Sequence, residues 1–427
     1  MSSSLIASNY MTRFACLGGE CEDTCCARWS VTVDEEHVVG LERLLVSAAD
    51  RARFAATFQL LPEERRRPQA YATIRMREDT RRCPMLDDDA LCSLHKRFGE
   101  AVLPDVCASY PRRLRDMAGR LELGGSMSCP EIVRQALLVD DGLDLIEADG
   151  AVAGRAPLVE RVSAEDAPVL DEVRGWAMLI LDRPGESLAS RLYLLAYVAE
   201  VTAEVLADDP AALTEELEAA LDDDALDALA AEAREPIAPD EHALAALVMQ
   251  VGALRSVVEQ PLGVELDRVI DRYAALGVLD RAAPAAGTLA SDGFTLRTGF
   301  TEACLALGRQ LPSPVVAAVD TWLDRYARAW CWSEPWPAER DVRAWVRTLA
   351  ARLAALRFFL LGHPDAAAGV DATARWLVRL VYQSARVVEH DAEVKRFMSR
   401  DLDRLLPSLE SLRALLSLVS PPPAAPG

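Results

Sequence analysis

The chain has 427 residues, 51% of them hydrophobic, which is enough for two or three domains with sizeable cores. Its 67 acidic residues against 46 Lys and Arg give a formal net charge of −21, which disfavours nucleic acid and anionic membrane surfaces as partners. No run approaches the length of a membrane span, and Met-Ser-Ser-Ser-Leu at the N-terminus lacks the basic and apolar regions of a signal peptide, so a cytoplasmic protein with reduced thiols is expected. Lys96 and Lys395 are the only lysines, a bias that a GC-rich genome would produce.

In chain order, Val31 and Val33 alternate with polar neighbours and predict a short strand. Asp34 then caps a helix through Leu45, with Glu35 and Glu36 in its first turn. Residues 50–80 are Arg-rich and read as surface. Leu91 to Gly99 predicts a short helix closed by its glycine, and Pro111 ends whatever helix holds Cys107. Arg112 to Gly125 reads as a hairpin turning near Ala118-Gly119, and Pro130 starts a helix through Leu138. Beyond about residue 150 the pattern is helical, over 168–207, 241–259, 314–331, 338–361, 369–390 and 394–417. Residues 208–239 are acidic and Ala-rich and predict surface helices or a loose excursion, residues 284–291 a loop, and the Pro-rich tail disorder. The expected fold is mainly α. A Cys-rich metal-binding module with little regular structure (1–150) packs on a larger helical body (151–418), followed by a tail (419–427).

Eight of the ten cysteines fall between Cys16 and Cys129. The first block holds Cys16, Cys21, Cys25 and Cys26 with Trp29. The second holds Cys83-Pro84 and Cys92 and runs on to Cys107, Tyr110 and Pro111. The third is Ser128-Cys129-Pro130-Glu131. In a reducing compartment such spacing points to metal rather than disulfides. The C-x4-C-x3-C-C pattern lacks the paired C-x2-C knuckles of zinc ribbons, and eight thiols exceed the needs of one tetrahedral zinc. An iron–sulfur cluster is therefore favoured, the alternative being one zinc staple with surplus thiols buried as small hydrophobes. Adjacent Cys25 and Cys26 would point apart in an extended chain and so reach different metal atoms.

These blocks resemble the flagellin lysine-N-methylase (FliB) family and, more distantly, Cys-rich zinc- or iron-chelating domains. The resemblance rests on Phe14 with Cys16, Cys21-Glu22-Asp23-Thr24-Cys25-Cys26 with Trp29, Cys83-Pro84 with Leu86, and Leu91-Cys92. It continues in Cys107 with Tyr110-Pro111-Arg112 and in Ser128-Cys129-Pro130-Glu131, with a weaker echo in Val388-Glu389-His390. It implies S-adenosylmethionine-dependent methylation of lysine side chains on a protein, flagellin or another. It also implies an iron–sulfur cluster, of the 4Fe-4S type, held by Cys16, Cys21, Cys25, Cys26, Cys83, Cys92, Cys107 and Cys129. A metal-binding adaptor or electron carrier, or another peptide-modifying iron–sulfur enzyme, stands as the alternative. Methyl transfer to lysine needs a neutral amine, hence a proton acceptor. Glu22, Asp23, Tyr110 and Glu131 are candidates by motif position, against plainer roles as turn, cap or helix-start residues. The stretch Leu121 to Ser126 lacks the βα context of a nucleotide-binding glycine loop. Trp322, Trp330, Trp332, Trp336 and Trp345 form either a peptide groove or, more commonly, core. His95, His390, Cys304 and Cys331 read as ordinary surface or core residues.

Overall fold

A computed structural model describes residues 5–29, 31–154, 156, 158–258, 261–281, 294–296, 299–334, 341–388 and 392–420. The chain forms two compact units, Met1–Gln135 with Asp144–Ala164, and Ala136–Leu143 with Glu165–Gly427.

Among the described residues the first unit carries eight strands: β1 (Leu5–Ser8), β2 (Val31–Val33), β3 (Phe58–Leu60), β4 (Ala72–Ile74), β5 (Arg112–Met117), β6 (Arg120–Gly125), β7 (Leu145–Ala148) and β8 (Val159–Val162). One sheet has the order β7-β1-β6-β5-β8, with β1 parallel to β6 and β5 parallel to β8. The other is antiparallel, in the order β2-β4-β3. The expectation of a module with little more than one hairpin is therefore corrected. Strands of three to six residues, paired with partners far away in sequence, leave almost no periodic signal. The β5–β6 hairpin is as expected, its turn made by Ala118 (φ 52°) and Gly119 (φ 103°), which suits the right-handed twist of paired strands.

Six helices belong with these sheets: α1 (Tyr10–Arg13), α2 (Glu35–Leu44), α3 (Ala48–Thr57), α4 (Ser93–Phe98), α5 (Asp105–Ser109) and α6 (Pro130–Leu137). Asp34 caps α2 by accepting the His37 N–H at 2.9 Å, and Ser47 caps α3 through Asp50 N–H at 3.0 Å. The Arg-rich stretch is surface as expected, most of its residues being exposed, and it carries α3, β3 and β4. Val31, Val33, Phe58, Ala72 and Ile74 of the small sheet pack with Val38, Leu41 and Leu94 in one apolar core.

The second unit is helical apart from one antiparallel strand pair, Leu279–Arg281 with Phe294–Leu296, and with the helices of the first unit it makes nineteen helices among the described residues and the fold mainly α, as expected. Its first long helices are α7 (Asp166–Leu181) and α8 (Leu188–Asp208). Helix Val342–Gly362 is buried on nearly every side and packs against α8, Ser313–Ser333 and Ala392–Leu405. Residues 208–239 form helices Leu213–Ala220 and Asp223–Arg234. The expected single helix over 394–417 is two, Ala392–Leu405 and Leu409–Leu416. Pro407 cannot donate a backbone hydrogen bond, and Ser408 caps the second piece through Ser411 N–H at 3.2 Å. Trp322, Trp330 and Trp345 are core at 6%, 7% and 4% exposure, while the guanidinium of Arg174 lies 4.6 Å from the ring of Trp332. Trp336, the 284–291 loop, Glu389-His390 and the Pro-rich tail lie outside the described residues. No described helix is long and apolar enough to cross a membrane.

Candidate metal centre

The first two cysteine blocks are joined by backbone. Cys83 N–H donates to the Cys26 carbonyl at 2.7 Å, Ala27 pairs with Arg82, and Arg28 N–H donates to the Arg81 carbonyl at 2.9 Å. Leu86 pairs with Cys92 inside the second block. The first block also lies against the second at Gly19, where an added Cβ would stand 2.6 Å from the Asp89 carbonyl oxygen. Trp29 closes over this joint. Its indole N–H donates to the Cys25 carbonyl at 2.6 Å, and its ring lies 5.6 Å from that of Tyr110, just past α5.

The third block arrives through α6. Cys129 sits at its start, and its thiol accepts backbone N–H groups of Glu131 and Ile132. The cysteine loop is tied to the same helix, because Arg134 donates to both carboxylate oxygens of Glu22 at 2.7 and 3.0 Å and to Glu131 at 2.7 Å. Gly125, ending β6, has no room for a side chain, since a Cβ there would meet Ile132 of α6 at 2.6 Å.

All ten cysteines are free thiols. In the first unit several thiols lie close enough to raise one another's titration. Cys26 is under the influence of Cys25, Cys83 and Cys107, and Cys83 of Cys92. Cys107 feels Cys25, Cys83 and Cys92; Cys129 feels Cys21 and Cys25; Cys21 feels Cys16. Burial pushes Cys83 up to about 11 and Cys129 up to about 12, and raises Cys21 and Cys107 as well. Cys26 is raised by its hydrogen bond with the Cys25 thiol and then by burial. A raised thiol pKa disfavours the thiolate at Cys21, Cys26, Cys83, Cys107 and Cys129, and a bound thiophilic metal would favour it. Soft sulfur donors suit an iron–sulfur cluster or zinc by their chemistry, but among the described residues no three cysteine sulfurs lie within 4.8 Å of one another, and the one group of possible ligands that close is Asp34, His37 and Asp105. Cys25 and Cys26 do not point apart as an extended chain would have them: they lie on a bend and their thiols touch.

Of the four proposed proton acceptors, Glu22 and Glu131 are engaged with Arg134, and Asp23 accepts Thr24 N–H at 2.7 Å in a local turn. Glu131 also accepts from the Gln135 amide at 2.8 Å. The Tyr110 hydroxyl lies 3.1 Å from Ser128 Oγ, which is 2.6 Å from Ser126 Oγ. Sequence reasoning missed Gly19, Arg134 and Ser126, and gave Ser128, which stands in the third block, no role. The i,i+3 spacing of Glu131 and Arg134 is the one local signal that was available for any of them. His95 is exposed on α4. Cys304 and Cys331 belong to the second unit, where burial pushes Cys304 up to about 12 and raises Cys331 further.

No protein-family model matches the chain, and no solved structure matches it. Over 138 residues it is 29% identical to a protein named Lysine-N-methylase from Salmonella typhimurium, covering 32% of this chain and 33% of that one. It is 28% identical over 138 residues to the flagellar biosynthetic protein FliU of Salmonella muenchen, covering 32% of this chain and 79% of that one. The match thus spans about a third of the length of the lysine-N-methylase. Over that shared third, the chain is similar to the proteins named Lysine-N-methylase and FliU.

Proposed function

We propose that this chain is a protein-lysine N-methylase that uses S-adenosylmethionine and holds an iron–sulfur cluster, of the 4Fe-4S type, on the cysteines of its first unit. The observation that carries the reading is that the fold ties the three cysteine blocks together, Cys83 to Cys26 through the backbone, Leu86 to Cys92, and the Glu22 loop to Arg134 of the helix that Cys129 starts, in a chain similar over a third of its length to a lysine-N-methylase. A bound sulfonium donor would supply an electrophilic methyl group, and a cluster held by the cysteines would supply a Lewis-acidic or redox-active centre.

The chain's own residues would do the rest. The lysine ammonium, ordinarily titrating near 10.4, must lose a proton before its nitrogen can attack. Tyr110, whose hydroxyl lies 3.1 Å from Ser128 Oγ, would take that proton as its phenolate, having first given its own proton to solvent. Trp29 and Tyr110 keep water from the cysteine joint. For the donor, a cavity of about 730 Å³ lies beside the second block, lined in part by Arg75, Arg77, Glu78, Asp88, Met76 and Leu86. Arg75 and Arg77 have no carboxylate partner among the described residues, so they can take the carboxylate of the amino-acid end while Glu78 and Asp88 face its ammonium. The substrate is a lysine-bearing protein, flagellin-like or otherwise.

The test begins with anaerobic purification. Brown protein containing iron and sulfide is expected, and stoichiometric zinc without iron would remove the cluster. The same preparation is then given labelled S-adenosylmethionine and flagellin or other cell proteins. Label in lysine supports the reading, whereas absence of label together with no donor binding would leave a metal-binding adaptor.

A further inference from the structure

We propose that the exposed face of α7, on the second unit, is a docking groove for a lysine-bearing segment of the protein substrate, with one ammonium seated on Glu172 and its aliphatic stem along Trp176 and Leu179. This rests on the reading that the substrate is a lysine-bearing protein, and it adds where that protein is held. A groove of about 320 Å³ runs along this face, lined by Pro168, Asp171, Glu172, Gly175, Trp176 and Leu179. Their spacing of three and four residues puts them on one stripe of the helix.

Glu172 is set up to take a cation. One of its carboxylate oxygens accepts the Trp176 indole N–H at 3.0 Å and the other the Thr214 hydroxyl at 3.1 Å. Both donors are neutral, and no cationic side chain pairs with Glu172 among the described residues. The bases close by in sequence are taken: Arg174 donates to Asp171 at 2.9 Å and lies over the Trp332 ring, and Arg183 donates to Asp227 at 2.6 Å. The two hydrogen bonds of Glu172 fix carboxylate and indole side by side before anything binds, which lowers the ordering cost of association. A lysine ammonium needs a charged acceptor, and its four-carbon stem needs an apolar wall. Trp176, half-buried, and Leu179, 53% exposed, supply that wall.

Two further observations favour a lysine-bearing segment as the occupant. Thr214 belongs to the stretch 208–239, which carries eleven acidic side chains and one basic, Arg234. The groove therefore opens beside a surface that attracts basic partners and repels acidic ones. Gly175, inside the sixteen-residue α7, has nothing within 4 Å of where a Cβ would stand. No neighbour requires a glycine there, and glycine weakens a helix interior. Its effect is to leave the middle of the groove open.

The experiment titrates the full chain, without methyl donor, into a fluorescently labelled peptide of alternating lysine and alanine, and reads anisotropy. The lysine peptide is expected to bind, and the same peptide with its lysines acetylated is not. Glu172→Gln keeps the size of the side chain and removes its charge, and should weaken binding about tenfold. Gly175→Leu puts a side chain into the groove and should weaken it at least as much, while the helix itself gains. Asp223→Asn with Asp224→Asn removes two exposed charges from the neighbouring acidic stretch and leaves the groove intact, so it should weaken binding less than Glu172→Gln alone. Equal binding of the acetylated peptide would overturn the proposal, as would unchanged affinity in Glu172→Gln. So would a loss in the Asp223/Asp224 variant as large as that in Glu172→Gln, which would mean diffuse attraction without a groove. Should Gly175→Leu not fold, Glu172→Gln and the Asp223/Asp224 variant decide. A chain that binds the peptide in this way but transfers no label to lysine would uphold the groove and sink the methylase. Label transfer to a lysine-bearing protein with the same KM in wild type and Glu172→Gln would sink the groove and leave the methylase.

Discussion

Tyr110 differs from the other proton-acceptor candidates in its partners. A carboxylate held bidentately by a guanidinium, as Glu22 is by Arg134, is stabilised in its charged form and is a poor proton acceptor. Tyr110 faces hydroxyls instead. Tyr110→Phe should therefore lower kcat for methyl transfer about 10²-fold while leaving the iron content unchanged, as measured by single-turnover label transfer and iron analysis on one preparation. A variant with wild-type rate would move the proton elsewhere. Cys26→Ser is expected to lose iron, and Cys331→Ser, fully buried in the second unit, to keep all of it; metal analysis separates the two. The cysteines themselves were legible from spacing because covalent order keeps each block together. The engagement of Glu22 was not, since Arg134 lies 112 residues away and only the tertiary fold brings it near.

Among elements, what could be read depended on whether the signal was local. The cap at Asp34, the hairpin turn at Ala118-Gly119 and the glycine end of α4 are decided within a few residues, and each appears where expected. The five-stranded sheet was missed because β1, β7 and β8 are four-residue strands whose partners are remote. Gly19 is another contact of this kind. In Gly19→Ala the new Cβ would meet a backbone carbonyl, which cannot swing aside as a side chain can, so the first block must lift away from the second. We expect a destabilisation of about 1–3 kcal/mol and faster loss of metal to a chelator. Gly40→Ala, in α2 with nothing within 4 Å of its Cβ, should instead stabilise slightly, by about 0.5–1 kcal/mol. A chelation rate unchanged by Gly19→Ala would show that the two blocks do not depend on that approach.

The cap on α2 also sets an acid limit. Burial alone would raise the Asp34 carboxyl, but the His37 N–H and the imidazole, both within 3 Å, outweigh it and hold Asp34 below the usual carboxylate range. A depressed folded pKa contributes stability that is present above the unfolded value, near 3.9, and is lost as pH falls through the folded one. Urea midpoints should therefore drop between pH 5 and pH 3 in the wild type. Asp34→Asn keeps a capping oxygen but removes the titration, and should lessen that drop. Equal slopes in the two proteins would show that Asp34 is not among the groups responsible.

For the whole molecule, charge is the property that composition states most directly. By count, residues 1–140 carry 21 acidic and 19 basic side chains, so nearly all of the −21 net charge lies downstream, in the part of the chain that is almost entirely helical. Helical periodicity made that architecture legible, whereas the boundary after Ala164, with Ala136–Leu143 assigned to the second unit, depends on packing that no local pattern encodes. An acidic body attracts a lysine-bearing protein over distances beyond contact, which raises the rate of encounter rather than the rate of chemistry. Such attraction is screened over about 8 Å at physiological salt. Methyl transfer at limiting substrate should therefore slow as salt is raised from low to physiological, while the rate at saturating substrate changes little. The measurement is kcat/KM and kcat across a salt series, with iron content checked at each point so that loss of metal is not mistaken for screening. A kcat/KM independent of salt would mean that the acidic body does not steer the substrate. A fall in kcat of equal size would place the charge effect at the reacting groups themselves.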